Sequence, residues 1–148
     1  MTMINSGAPL ANCWQVAGDK HKIDPLLLYA IAEVESSLNP RAINYNKDGS
    51  ADIGLMQINS RHLPELTKQG ITQEKLQSDV CVSIHTGASV LASFIRKFGY
   101  SWQAVGAYNA GGAANNELLR QKYAQKVWMR YKSLVRWRKE QNYKSAQE

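Results

Sequence analysis

No stretch of this chain approaches the roughly 20 consecutive apolar residues that cross a bilayer, so no membrane span is expected. Cysteine is scarce: Cys13 and Cys81 are the only two, and their spacing matches no zinc or iron–sulfur motif. The three histidines, His21, His62 and His85, form neither a His-x-x-x-His pair nor a cluster with cysteine, so no metal is expected. A Gly-x-Ser-x-Gly elbow is missing as well, which removes the usual signature of a serine hydrolase. Four prolines and ten glycines are too few for a collagen-like or low-complexity chain. Acidic residues are absent from one long stretch, 120–139, where Arg120, Lys122, Lys126, Arg130, Lys132, Arg136, Arg138 and Lys139 crowd together.

What remains describes a small globular domain. The 148 residues are 44% hydrophobic and 20% charged, enough for one domain with a sizeable core. A net charge of +6 favours anionic partners: nucleic acid, anionic lipid or a carboxylate-bearing wall polymer. The basic stretch is equally the pattern of a solvated helix face. Trp128, Tyr131 and Trp137 lie among its cations and could stack on nucleobases, but their helical spacing favours packing, so no nucleic-acid partner is expected. The two cysteines read as one disulfide tying the N-terminal segment to a later helix in an oxidising compartment; two buried free thiols in a reducing one is the alternative. Residues 1–11 lack the apolar segment of a signal peptide and are read as a leader standing where an export signal was removed.

The pattern is mostly helical, with a first helix expected from Asn12 to Lys22. Asp24-Pro25 supplies an N-cap and a first-turn proline for a second helix reaching about Ser37, before Pro40. Periodicity fails from Asn44 to Asn59, where Lys47-Asp48-Gly49-Ser50 marks the turn of a small β-hairpin. Thr67 to Asp79 reads as irregular with a short helix, and Val80 to Phe98 as a longer one closed by Gly99. Ser101 caps another helix to Asn109, and the stretch around Gly111-Gly112 breaks it. A last helix, Glu117 to Trp137, is expected to bury Leu118, Tyr123, Val127, Tyr131 and Leu134. Residues 12–138 form the folded domain, and 139–148 a flexible tail. The fold class is α+β and predominantly helical.

Chemistry concentrates in two carboxylates. On the second helix Leu27, Leu28, Ile31, Val34 and Leu38 form one apolar stripe, and Glu35 projects within it, whereas Glu33 projects from the other side. A carboxyl against apolar neighbours is costly to ionise and stays protonated as an acid. The hairpin offers Asp52. Two such acids suit cleavage of a glycosidic bond, in which one group protonates the departing oxygen and another stabilises the cation left at the anomeric carbon.

Four ordered motifs sharpen this: Glu35-Ser36-Ser37-Leu38-Asn39-Pro40, Gly54-Leu55-Met56-Gln57, Ala107-Tyr108-Asn109-Ala110-Gly111, and Tyr123 followed by Lys126-Val127. Over residues 12 to 130 the chain resembles the family 1 lytic transglycosylases, lysozyme-like enzymes that cut bacterial peptidoglycan. Cys13-Trp14, Asp48-Gly49-Ser50-Ala51-Asp52, Cys81 and Tyr100-Ser101-Trp102 make it most similar to the small periplasmic members that accompany type III secretion systems. The resemblance implies a lysozyme-like fold with Glu35 as catalytic acid. It also implies a sugar groove lined by Met56, Gln57, Tyr108, Asn109 and Tyr123, with Ser36 orienting the substrate or the acid. Asn46 to Arg61 also resembles c-type lysozymes, which carry a second catalytic carboxylate there, so Asp52 is expected to stabilise charge, act as nucleophile or brace the hairpin.

The expected function is therefore a peptidoglycan lytic transglycosylase, exported to the periplasm and acting as a monomer without a cofactor. It would cleave the β-1,4 bond between N-acetylmuramic acid and N-acetylglucosamine and leave 1,6-anhydro ends, opening the wall for a secretion system. A muramidase that hydrolyses the same bond, or a non-catalytic wall-binding adaptor, are the alternatives.

Overall fold

A computed structural model describes residues 8–147. Helix α1 spans Ala8–His21 and α2 Pro25–Ser36. Three short strands follow, β1 Ile43–Tyr45, β2 Ala51–Ile53 and β3 Ile58–Asn59, then a 3-10 turn at Ser60–His62. Helices α3 Leu63–Lys68, α4 Gln73–Ser78, α5 Val80–Phe98, α6 Trp102–Ala110 and α7 Glu117–Gln147 complete the chain. The leader expected over 1–11 lies mostly outside the described residues, and α1 begins within it, at Ala8.

Helix α2 starts where its capping chemistry demands. The Asp24 carboxylate accepts from Leu26 N–H at 3.0 Å, and Pro25 fills the first helical position. The helix ends one residue after Glu35, where Ser37 turns left-handed at φ 53° and donates its N–H back to the last turn. Leu28 and Ile31 are fully buried, and Ala32 packs with them. That burial fixes which face of α2 meets the core and therefore where Glu35 points.

The strands form one antiparallel sheet, β1-β2-β3, so the expected hairpin gains a third strand. Asp52 stands at its centre, in register with Asn44 on one side and Asn59 on the other. The turn follows its sequence signal: Asp48 accepts from the Ser50 N–H at 2.9 Å, and Gly49 adopts φ 89°. Between β2 and β3 the chain turns through Gly54, at φ 80°. A Cβ there would lie 2.3 Å from the Leu76 carbonyl oxygen, so glycine lets the sheet dock against α4.

The core gathers Trp14, Leu27, Leu28, Ile31, Ile53, Met56, Ile84, Leu91, Val105, Tyr123 and Val127 from both the helices and the sheet. One disulfide, Cys13–Cys81, staples α1 to α5 with Cα atoms 5.4 Å apart, as the paired reading of the cysteines expected. Helices α6 and α7 cross at Gly106, where a Cβ would stand 2.2 Å from the Arg120 carbonyl oxygen.

Helix α7 departs from expectation in four ways. It runs to Gln147, ten residues beyond Trp137 where the sequence reading ended it, because no proline or glycine interrupts a stretch rich in Lys, Arg, Gln and Glu. Leu118, expected in the core, is 71% exposed, since the first turn of the helix faces outward beyond the 3-10 turn at Ala114–Asn116. Arg120, counted among the solvated cations, is buried at 4% exposure. Its guanidinium donates to Gln103 Oε1 and to the carbonyls of Gly111 and Ala113, satisfying backbone acceptors left after α6 ends. Trp128, whose spacing suggested packing, stays 40% exposed and meets Trp102 edge to face at 5.7 Å.

Further along, Arg138 closes a bidentate pair on Asp24, at 2.8 and 3.0 Å, and Tyr131 donates to the same carboxylate at 2.6 Å. Burial works to raise the Asp24 pKa, and the Arg138 and Tyr131 bonds outweigh it and hold the group below its usual range. The far half of α7 thus grips the cap of the helix that carries Glu35.

Candidate active site

Glu35 leaves the end of α2 into a cleft of about 250 Å³ that it shares with Asn46, Asp48, Ser50, Asp52, Gln57, Asn59, Tyr108 and Asn109. A second hollow of about 520 Å³, lined by Val34, Ala110, Leu119, Lys122, Tyr123 and Lys126, meets the first at Glu35 and Asn109. Together they make a groove that passes over Glu35, with room for a chain molecule on both sides of the acid.

Glu35 has the pKa of a general acid. Burial of its carboxyl raises the value from 4.5 to about 7, and the negative charge of Asp52 adds to the rise. Two groups oppose this: the Tyr123 hydroxyl, which donates to Glu35 Oε2 at 2.5 Å, and the Lys126 ammonium. Desolvation prevails, so near neutral pH the side chain can both give a proton and take one back. Tyr123 and Lys126 stand three residues apart on α7 and therefore on one face of it. Burial beside Glu35 drives the Tyr123 hydroxyl far above its ordinary pKa, which keeps it a hydrogen-bond donor.

Asp52 enters from the sheet. Asn59 donates to its Oδ1 at 2.9 Å and Asn46 to its Oδ2 at 3.2 Å, so each oxygen is anchored from a neighbouring segment. These bonds brace the hairpin and hold the carboxylate in the cleft at the same time. Asn59 belongs to an Asn59-Ser60 pair that the resemblance to the secretion-associated enzymes includes, and its place opposite Asp52 comes from the third strand, β3.

The other expected groove residues divide by role. Tyr108 lines the cleft and donates its hydroxyl to the Met56 carbonyl at 2.7 Å. Asn109 is exposed at the junction of the two hollows. Gln57 lines the cleft at a left-handed φ of 53°, and its amide is committed: it donates to the Gly54 and Ala42 carbonyls and accepts from Asn44. Met56 is a correction, because its side chain is fully buried against Gly87 and turns only its carbonyl towards Tyr108. Ser36 is likewise engaged within the protein, donating to the Leu55 carbonyl at 2.7 Å and the Ala32 carbonyl at 3.2 Å. It latches the loop between the strands onto the end of α2 beside Glu35, and so positions the acid.

An acid poised near pH 7 in a two-sided groove is the arrangement of a glycan-cleaving enzyme, and the family comparison decides which kind. The profile described as "Transglycosylase SLT domain" matches residues 12–130. The chain belongs to the transglycosylase SLT domain family. It is a lytic murein transglycosylase with a lysozyme-like fold.

Among proteins similar to this transglycosylase is the invasion protein IagB of Salmonella typhimurium (strain SL1344), 48% identical over 124 residues, covering 84% of this chain and 78% of that one. The protein IpgF of Shigella flexneri is 42% identical over 132 residues, covering 89% of this chain and 87% of the relative. In fold the transglycosylase is similar to an inactive mutant of the lytic transglycosylase Slt from Pseudomonas aeruginosa, at a TM-score of 0.62 and 23% identity. That likeness covers 82% of this chain and spans only 23% of the Slt chain. Among the described residues no helix is long and apolar enough to cross a membrane, and no group of three His, Cys, Asp or Glu could hold a metal ion.

Proposed function

We propose that this transglycosylase cleaves the β-1,4 bond between N-acetylmuramic acid and N-acetylglucosamine and leaves a 1,6-anhydro end, with Glu35 serving first as acid and then as base. The observation that carries the reading is the Glu35 carboxyl, raised to about 7 at the meeting point of the two hollows. Protonated Glu35 donates to the glycosidic oxygen as the bond from that oxygen to the anomeric carbon breaks, and the released N-acetylglucosamine departs with a hydroxyl. The positive charge developing on the muramyl ring is stabilised by its own acetamido oxygen and by the Asp52 carboxylate. Glu35, now ionised, takes the proton of the muramyl C6 hydroxyl, whose oxygen closes on the anomeric carbon. Glu35 returns to its starting state, and no water or cofactor is consumed.

Tyr123 and Lys126 act on the same carboxyl. Both favour its ionised form and so ease the first proton transfer, while burial makes the second transfer favourable. Asn109 stands where the groove passes Glu35 and is assigned to hold the sugar beside the scissile bond. Asp52 is assigned to electrostatic stabilisation in preference to nucleophilic attack, because both of its oxygens already accept hydrogen bonds that fix it in place.

The natural setting proposed is the periplasm, where peptidoglycan lies and a disulfide persists. The task there is local opening of the wall for a secretion apparatus. Support comes from the resemblance to small enzymes that accompany type III secretion systems and from the similarity to a protein named for invasion. Loss of turbidity of purified cell walls tests the activity: the wild-type protein clears them, and Glu35→Gln does not. Clearance by Glu35→Gln at the wild-type rate would overturn the assignment of the acid.

A further inference from the structure

Helix α7 carries a face that the groove over Glu35 does not use. Gln121, Gln125, Trp128, Lys132, Arg136 and Lys139 recur at intervals of three or four residues, so they share one side of the helix over roughly 27 Å. Tyr123 and Lys126, which act on Glu35, project from the other side. Where the unused face meets the start of α6, Trp102 and Trp128 stand edge to face at 5.7 Å. They wall a hollow of about 520 Å³ that Ala124 and the amides of Gln103, Gln121 and Gln125 also line. Behind Trp102 lies a smaller hollow of about 210 Å³ between Leu27, Tyr100, Val105 and Tyr131. Ser101 and Trp102 belong to both hollows, and neither hollow shares a residue with the groove.

The chemistry of this face defines what would cover it. Trp102 and Trp128 are 39% and 40% exposed, which leaves apolar surface in water beside two concave hollows. Just beyond them Lys132, Arg136 and Lys139 make no ion pair among the described residues, and no acid occurs between 120 and 139. The occupant therefore needs apolar side chains for the hollows and carboxylates spaced to meet three cations. A second copy of this chain does not fit, because at a net charge of +6 it would bring the same cations to the same place. A bilayer would strand the three amides in lipid without partners. Nucleobases need open ring faces, and the edge-to-face packing of Trp102 on Trp128 turns the rings against each other.

We propose that this face docks an acidic amphipathic helix of a partner protein, laid along α7. Apolar side chains one turn apart on the partner seat on either side of Trp102, and its Asp or Glu residues meet Lys132, Arg136 and Lys139. A helix suits these cations because carboxylates at the same three- and four-residue spacing form a matching row. Gln103, whose side-chain oxygen accepts from Arg120 at 2.8 Å, keeps its N–H donors for the partner. Since the face points away from Glu35, the partner holds the enzyme in place and leaves the groove open to glycan.

The probe is a synthetic helical peptide of about 18 residues, the length that spans the face, with leucines on one side and glutamates flanking them. Isothermal titration with the wild-type protein should show saturable one-to-one binding. Trp128→Ala should weaken it about 10- to 100-fold, and Lys132→Gln/Arg136→Gln/Lys139→Gln about three- to thirtyfold, the loss of three partly exposed charge pairs. The charge variant should keep the wild-type melting temperature, so its loss of affinity cannot come from unfolding. Lys20→Gln/Lys75→Gln/Arg96→Gln removes the same charge from exposed positions elsewhere and should leave the affinity unchanged. An equal loss in that control would overturn the proposal, since attraction to the whole cationic molecule would then explain the binding. Absence of saturable binding to wild type would also overturn it. So would tighter binding to phosphatidylglycerol vesicles than to the peptide, with both weakened by the α7 charge variant, which would give the face to a membrane. Peptide binding is measured without cell walls, so it stands or falls apart from the glycan chemistry.

Discussion

Replacing Glu35 with glutamine should stabilise the protein at neutral pH while it abolishes the chemistry. The carboxyl holds its proton in the fold up to about pH 7, whereas in the unfolded chain it releases it near its ordinary value of 4.5. Between those values the unfolded state binds fewer protons than the native state, so native stability must fall as pH rises. At 1.36 kcal/mol for each tenfold change in proton affinity, the full fall is about 3.4 kcal/mol, complete above pH 7. Partial exposure of the side chain screens the effect, and about 1–3 kcal/mol is the expected range. Glutamine retains an oxygen for the Tyr123 hydroxyl and carries no charge, so the variant escapes the penalty.

The assay is urea unfolding of wild type and Glu35→Gln across pH 4 to 8. The two should be nearly equal at pH 4, and the variant should pull ahead through pH 7, with a melting temperature higher by about 2–4 °C for each kcal/mol gained. Glu33→Gln, which removes a charge outside the cleft, is the control and should keep wall-cleaving activity. Parallel stability curves for wild type and Glu35→Gln from pH 4 to 8 would refute the reasoning, because the carboxyl could not then be protonated by its burial.

Three further outcomes are expected. Asp52→Asn should lower kcat about 10- to 1,000-fold without abolishing turnover, since the acetamido group still stabilises the cation; unchanged kcat in the folded variant would leave Asp52 with only its bracing role. Tyr123→Phe removes a hydrogen bond that favours ionised Glu35, so the alkaline limb of the kcat/KM profile should move to higher pH; a shift to lower pH would contradict the role given to this hydroxyl. Replacing Cys13 and Cys81 together by alanine opens a link between residues 68 apart and should cost about 4 kcal/mol in denaturant titration, with kcat preserved in the molecules that remain folded.

The helix bearing Glu35 was legible because three local signals agree: a capping aspartate, a first-turn proline and an apolar stripe that carries the acid inward. The hairpin was legible from its turn residues, and its third strand was not, because Ile58–Asn59 is two residues long and offers no alternation to read. Met56 was misplaced for a different reason. The motif that names it marks a tight loop, and its side chain is drawn into the core against Gly87, a contact across 31 positions of sequence.

Long-range polar contacts were the least visible. Nothing local distinguishes Arg138 from the seven other cations between 120 and 139, yet it alone among them pairs with Asp24. Arg120 looked like part of the same solvated face and instead satisfies carbonyls at the end of α6. Both depend on where α7 lies against α2 and α6, which is a property of packing and not of periodicity.

The most direct test of the central claim is the mass of the muropeptides released from purified peptidoglycan. If the C6 hydroxyl of the muramyl residue captures the cation and Glu35 takes its proton, each product ends in a 1,6-anhydro ring, one water lighter than the hydrolysed fragment and without a reducing end. Fragments with free reducing ends as the sole products would contradict the account, and would mean that water enters the cleft between Glu35 and Asp52.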